Sequence, residues 1–296
     1  MKEKFKAFFA SIGYLFLTIL IQLVVSIVGG IAIGFYYAIN GVIQMENGLT
    51  LEYEIDSMLN SILSLTNIFL LISSVITILA LILIYKIKRR NYKEELQISK
   101  TKSVNIFYAI ILGLCCWLFN SGVLSLVEEA GLFSSQFEYM NDILAPISQG
   151  SILISMLTVG IVAPIAEEFL FRGVIYNTLK RKISIKWTII IQAILFGAFH
   201  GNLVQGIYAT LLGIVFGYVT YKTKSLWPAI IMHMVNNLTA NIASFILGDY
   251  LGGTLLYIIF TVIGTIGMVL LIFLIRKSNT NNEEKIMNFE GFNNLN

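Results

Sequence analysis

The chain has 296 residues, 57% of them hydrophobic and only 12% charged, with a mean hydropathy of +0.81. A soluble domain carries about 25% charged residues, so these proportions exclude a water-soluble globular protein and make lipid the solvent for much of the surface. The net charge of +3 says little as a total and much as a distribution.

A hydrocarbon layer of ~30 Å takes roughly 20 apolar residues of helix. Eight such runs follow one another at 8–38, 59–85, 105–127, 150–178, 187–201, 204–221, 226–247 and 253–275. The fold class they predict is all-α: a polytopic transmembrane helix bundle of about eight spans. The first run follows Lys2, Lys4 and Lys6 but is far longer than the roughly 7–15 apolar residues of a signal peptide, so it reads as a retained anchor. Gly29-Gly30 mark a place where it can tilt or bend. Cys115 and Cys116 adjoin in the third run, where neighbouring helical side chains point apart and no disulfide framework is indicated. The fifth run is short and ends at Gly201-Asn202.

The basic residues fall in the two termini and in alternate connections, with Arg172 the one exception within a span. The remaining connections carry acidic residues such as Glu52, Glu54, Asp56, Glu138, Asp142 and Asp249. By the positive-inside rule both termini are expected in the cytoplasm, and the chain in a cell membrane. An Ile-, Lys- and Asn-rich composition hints at a bacterial source. The stretches 39–58 and 128–149 are expected to be acidic loops or short surface helices, and the Asn-rich tail after Lys277 to be disordered. This gives three N-terminal spans with their loops in 1–149, a helical core in 150–247, and a last span with a polar tail in 248–296.

Few ionisable residues remain inside the spans: Glu167, Glu168, Arg172, His200 and His233. Each costs roughly 2.5–3.5 kcal/mol on insertion scales and normally faces a bundle interior or a wet cavity. At 1.5 Å per residue, Glu167, His200 and Asn237 each lie about 20 Å from the nearest basic loop, and His233 about 13 Å. A shared cavity explains these overlapping depths. Glu168 and Arg172 are four apart and can pair on one face. Glu167 is turned away by about 100° and has no partner on its own helix. His233 and Asn237 share a face. Gly197 and Gly201 permit close helix approach, as do Gly213 and Gly217, and Pro164 should kink its helix beside the glutamates. Pro228 is an ordinary proline near a helix start.

This set can hydrolyse an amide. Glu167 can take a proton from water, His200 can help hold that water, and His233 with Asn237 can donate to a developing oxyanion. Singly, each residue also has a structural reading: Glu168–Arg172 as an internal ion pair and each histidine as an interhelical hydrogen-bonding group.

Glu167-Glu168-Phe-Leu-Phe-Arg172 fits E-E-x-x-x-R, Phe196-Gly-Ala-Phe-His200 fits F-x-x-x-H, and His233-Met-Val-Asn-Asn237 fits H-x-x-x-N. In that order, on successive apolar segments, these resemble the three motifs of the CPBP (Abi) family of intramembrane endopeptidases. That family includes CaaX prenyl proteases and bacteriocin-processing or immunity proteins. The resemblance covers about residues 150–247. It implies an intramembrane peptidase in which Glu167 and His200 activate water, His233 and Asn237 form the oxyanion site, and Glu168 and Arg172 support them. Both metallo and metal-free mechanisms have been put forward for the family. Without H-E-x-x-H the expectation here is no cofactor; if zinc is used, Glu167, His200 and His233 are its candidate ligands. The partners implied are membrane lipid and a membrane-associated peptide or protein substrate, with no nucleic acid. Rhomboid-like, site-2 zinc and aspartyl intramembrane proteases are disfavoured for lack of G-x-S-G, H-E-x-x-H and paired aspartates. A proton-coupled transporter and a non-catalytic scaffold or immunity protein on the same fold remain as rivals.

Overall fold

A chain segment surrounded by lipid must satisfy its own N–H and C=O groups, which restricts it to helices or a closed barrel. The computed structural model describes residues 2–46, 50–148, 150–247 and 252–293, and these are helical, with no strand among them. In chain order the helices are α1 Lys2–Glu46, α2 Leu51–Ser64, α3 Thr66–Ile87, α4 Tyr92–Glu95, α5 Ser103–Glu129 and α6 Ser134–Ser148. There follow the segmented α7 Ile152–Lys180, α8 Ile185–Phe199, α9 Leu203–Thr223, α10 Trp227–Leu247 and α11 Thr254–Asn293. Seven of these are long and apolar enough to cross a membrane, and the protein is a multi-pass helical membrane protein. Large apolar side chains such as Leu153, Ile87 and Leu255 face outward, while Ser11, Gln192, Thr220 and Arg172 are buried. That distribution suits lipid outside and polar contacts between helices.

The differences from the sequence reading have local causes. The expected second span divides at Leu65, so the membrane-length helix is α3, and α2 is a separate, amphipathic helix capped by the Thr50 side chain. α1 runs unbroken through Gly29-Gly30, and Gly29 lies against the Phe69 ring, where a small residue admits α3. The fifth expected span, α8, has 15 residues, about 22 Å of rise, and is too short to count among the seven. α11 continues through Asn293 where an irregular tail was expected. The start of that extension is tied down: Asn279 and Asn105 exchange side-chain hydrogen bonds, and Lys102 donates to Ser278 O. Asp249, expected in an outer connection, lies outside the described residues.

α7 is the centre of the bundle. α1 and α3 pack on it from one side, α8, α9 and α10 from the other, and α5 with α11 closes the back of α10. Glycines set the closest approaches. A side chain at Gly213 would come within 2.9 Å of Ala193, and one at Gly113 within 2.6 Å of Met232 O. A side chain at Gly197 would run into Gly206 O and Thr210. These contacts draw α8, α9, α10 and α5 together around the polar residues of α7.

Candidate active site

α7 is not a regular α-helix. Two π-helical stretches, Thr158–Val162 and Phe169–Ile175, enclose the short α-helical stretch Ala163–Glu168. In the first, Ala163 N–H reaches back five residues to Thr158 O. The next donor in that register belongs to residue 164, which is proline and has none. Val159 O is therefore left over, and Asn237 Nδ2 on α10 donates to it at 3.0 Å. The proline thus yields a π turn, the form in which such irregularities often occur at functional sites, and it recruits a side chain from another helix. One N–H of Asn237 is committed to this contact, its Oδ1 accepts from Asn236 at 3.0 Å, and its second N–H is the donor it can offer elsewhere.

The two glutamates have different surroundings. Glu168 is fully buried, and its Oε1 accepts from Arg172 Nη1 at 2.8 Å and from His233 Nδ1 at 2.9 Å. The pairing with Arg172 was expected from the four-residue spacing; the grip on His233 was not. Arg172 is also fully buried, and its Nε and Nη2 have no hydrogen-bond partner among the described residues. Its guanidinium lies 4.3 Å from the Phe196 ring centroid and 5.1 Å from that of Phe216, so ring faces compensate part of the charge.

Glu167 keeps a side chain 21% exposed, and its Oε2 is 3.7 Å from His233 Nε2, an ion-pair distance longer than a hydrogen bond. His200 is the C-cap of α8, and Gly201 follows with φ +73°, a conformation glycine adopts without strain. Asn202 then caps α9 by accepting from Gln205 N–H at 2.8 Å. His200 Nδ1 lies 2.9 Å from Phe196 O. A carbonyl can only accept, so Nδ1 carries the proton and a neutral His200 has its lone pair at Nε2. Phe196 joins the two imidazoles, with its ring edge-on to His200 at 4.9 Å and to His233 at 5.7 Å. Among the described residues, no three His, Cys, Asp or Glu side chains are grouped to hold a metal ion. No step below passes through a metal.

All seven motif residues fall within residues 149–239, which match the family model described as type II CAAX prenyl endopeptidase Rce1-like. Over these residues the chain is similar to that family, as the three motifs led one to expect. It is also similar to the "Putative membrane peptidase YdiL" of Bacillus subtilis (strain 168), with 28% identity over 171 residues, 55% of this chain and 68% of that protein. No solved structure matches it.

Residues 149–239 are not the whole of the site. Thr18 and Gln22 on α1 and Ser74 and Thr77 on α3 line a small cavity with Glu167 and Phe199. These four lie in spans read from sequence as anchors only. The available signal was weak but present: polar residues in apolar runs at helical spacings of four and three.

Proposed function

We propose that the protein is an intramembrane endopeptidase that hydrolyses a peptide bond of a membrane-associated peptide or protein with water activated by Glu167. The observation that carries this reading is the inequality of the two adjacent carboxylates. Glu168 is tied to Arg172 and His233, whereas Glu167 is partly open and 3.7 Å from His233 Nε2. Family similarity supports the same class of activity.

In this mechanism a water donates one hydrogen to the Glu167 carboxylate and the other to His200 Nε2, the acceptor left by the Nδ1 contact to Phe196 O. Glu167 takes the proton as the water oxygen attacks the scissile carbonyl carbon. The negative charge that develops on the carbonyl oxygen is met by His233 Nε2–H and the free N–H of Asn237. His233 gives its Nδ1–H to Glu168, so its Nε2 donates to the oxyanion when the ring also carries hydrogen there. The C–N bond then breaks, and Glu167 returns its proton to the departing amine. Glu168 and Arg172 act by holding His233.

The test is to reconstitute the purified protein in liposomes with membrane-anchored peptides and follow cleavage by mass spectrometry. Wild type cleaves and Glu167→Ala does not, although the variant inserts and folds. Cleavage persists after exhaustive chelation. Loss of solute uptake instead of cleavage in Glu167→Ala would transfer the site to a proton-coupled carrier.

A further inference from the structure

Thr77 differs from most of the helical threonines. Thr18, Thr188, Thr220 and Thr261 each turn the hydroxyl back onto the carbonyl four residues earlier, the usual way such a group is satisfied inside a membrane helix. Thr77 is 2% exposed, and its Oγ1 has no hydrogen-bond partner among the described residues. A buried unpaired hydroxyl is costly, and within α3 the Ser73 carbonyl stands four residues earlier. Thr77 also lines the cavity that contains Glu167, with Ser74 one turn before it on α3 and Gln22 on α1. The space open to the centre of a water molecule there is about 10 Å³, room for about one water, which needs two to four polar partners to stay.

We propose that Thr77, on α3 outside the family core, positions the hydrolytic water: its Oγ1 hydrogen-bonds a water that is shared with the Glu167 carboxylate, and Ser74 and Gln22 line the same chamber. Water reaches the reactive carboxylate from the α1–α3 side, while His233 and Asn237 present their donors from α10. The N-terminal helices thereby supply one wall of the active site. The inference rests on the hydrolytic reading of Glu167 and adds to it.

Two measurements test it. A crystal structure of the unaltered protein, at a resolution that shows ordered water, will contain a water within hydrogen-bond distance of both Thr77 Oγ1 and the Glu167 carboxylate. A chamber filled by a lipid tail, or a water that touches Glu167 and not Thr77, overturns the proposal. In kinetics with a membrane-anchored fluorogenic peptide that wild type cleaves, Thr77→Val lowers kcat about tenfold, the worth of one hydrogen bond to the reacting water, and leaves KM unchanged. Thr77→Ser, which keeps the hydroxyl, recovers the lost rate. The melting temperature of Thr77→Val changes little, because a methyl of the same shape replaces the hydroxyl and the water keeps its other polar partners in the chamber. A wild-type kcat in Thr77→Val, with Glu167→Gln inactive, removes the role of Thr77 and leaves the function standing. Wild-type cleavage by Glu167→Gln removes the function itself. A parallel fall of kcat and melting temperature in Thr77→Val that Thr77→Ser does not repair assigns Thr77 to packing and also overturns the proposal.

Discussion

At the residue scale, the site depends on one buried carboxylate serving two partners. Removing one member of a buried ion pair leaves the other uncompensated, at about 3–5 kcal/mol. Arg172→Ala is therefore expected to lower the melting temperature in detergent strongly, since Glu168 then keeps only His233. Glu168→Gln/Arg172→Met, which removes both charges, recovers part of that loss. Glu168→Gln alone weakens the hold on the His233 ring and is expected to reduce kcat about a hundredfold, read in the same peptide-cleavage assay. The Glu168–Arg172 pair was legible in the sequence because four residues make one helical neighbourhood. The contact from Glu168 to His233 spans 65 positions, and helical periodicity carries no information about which faces of two distant helices meet. Thr77 was illegible for a related reason: a lone threonine in an apolar helix is usually satisfied by its own backbone, and only the structure shows that this one is not.

At the scale of the element, proline and asparagine act together. Pro164 removes the donor that Val159 O would receive in the π register, and Asn237 supplies one from α10. Asn237→Ala leaves that buried carbonyl unpaired, at a cost of about 1–3 kcal/mol. Adding Pro164→Ala restores a backbone N–H, so the double variant is expected to melt above Asn237→Ala. Equal melting temperatures would show that the side chain does not stand in for the missing backbone donor. The sequence indicated a disturbance at Pro164 but not its form, since a proline can kink a helix or shift its register and the choice depends on what packs nearby. Gly213 was read as a packing residue, and in the structure it lies against Ala193. Gly213→Val is expected to push α8 and α9 apart and cost about 1–3 kcal/mol, seen as a lower melting temperature.

At the scale of the whole molecule, the composition was enough to read a multi-pass helical bundle, because nothing else so apolar can cover its backbone in lipid. The span count was less secure: α8 reads as apolar sequence like the others, yet Gly201 and the Asn202 cap turn the chain after 15 helical residues. The charge distribution leads us to propose that the short α8 also crosses the layer, making eight crossings, so that both termini, and the loop holding Lys100, face the cytoplasm. In a chain whose native cysteines are replaced, Lys100→Cys should react with an impermeant maleimide only after the cells are opened, and Glu138→Cys in intact cells. The reverse pattern would invert the bundle without altering the site.

The central claim is that the Glu167 carboxylate makes the nucleophile from water. It is tested most directly by the single-turnover rate of purified Glu167→Gln, which preserves the size of the side chain and removes its basicity. The account predicts a rate at least about a hundredfold below wild type with an unchanged melting temperature; cleavage of the same bond at the wild-type rate would contradict it.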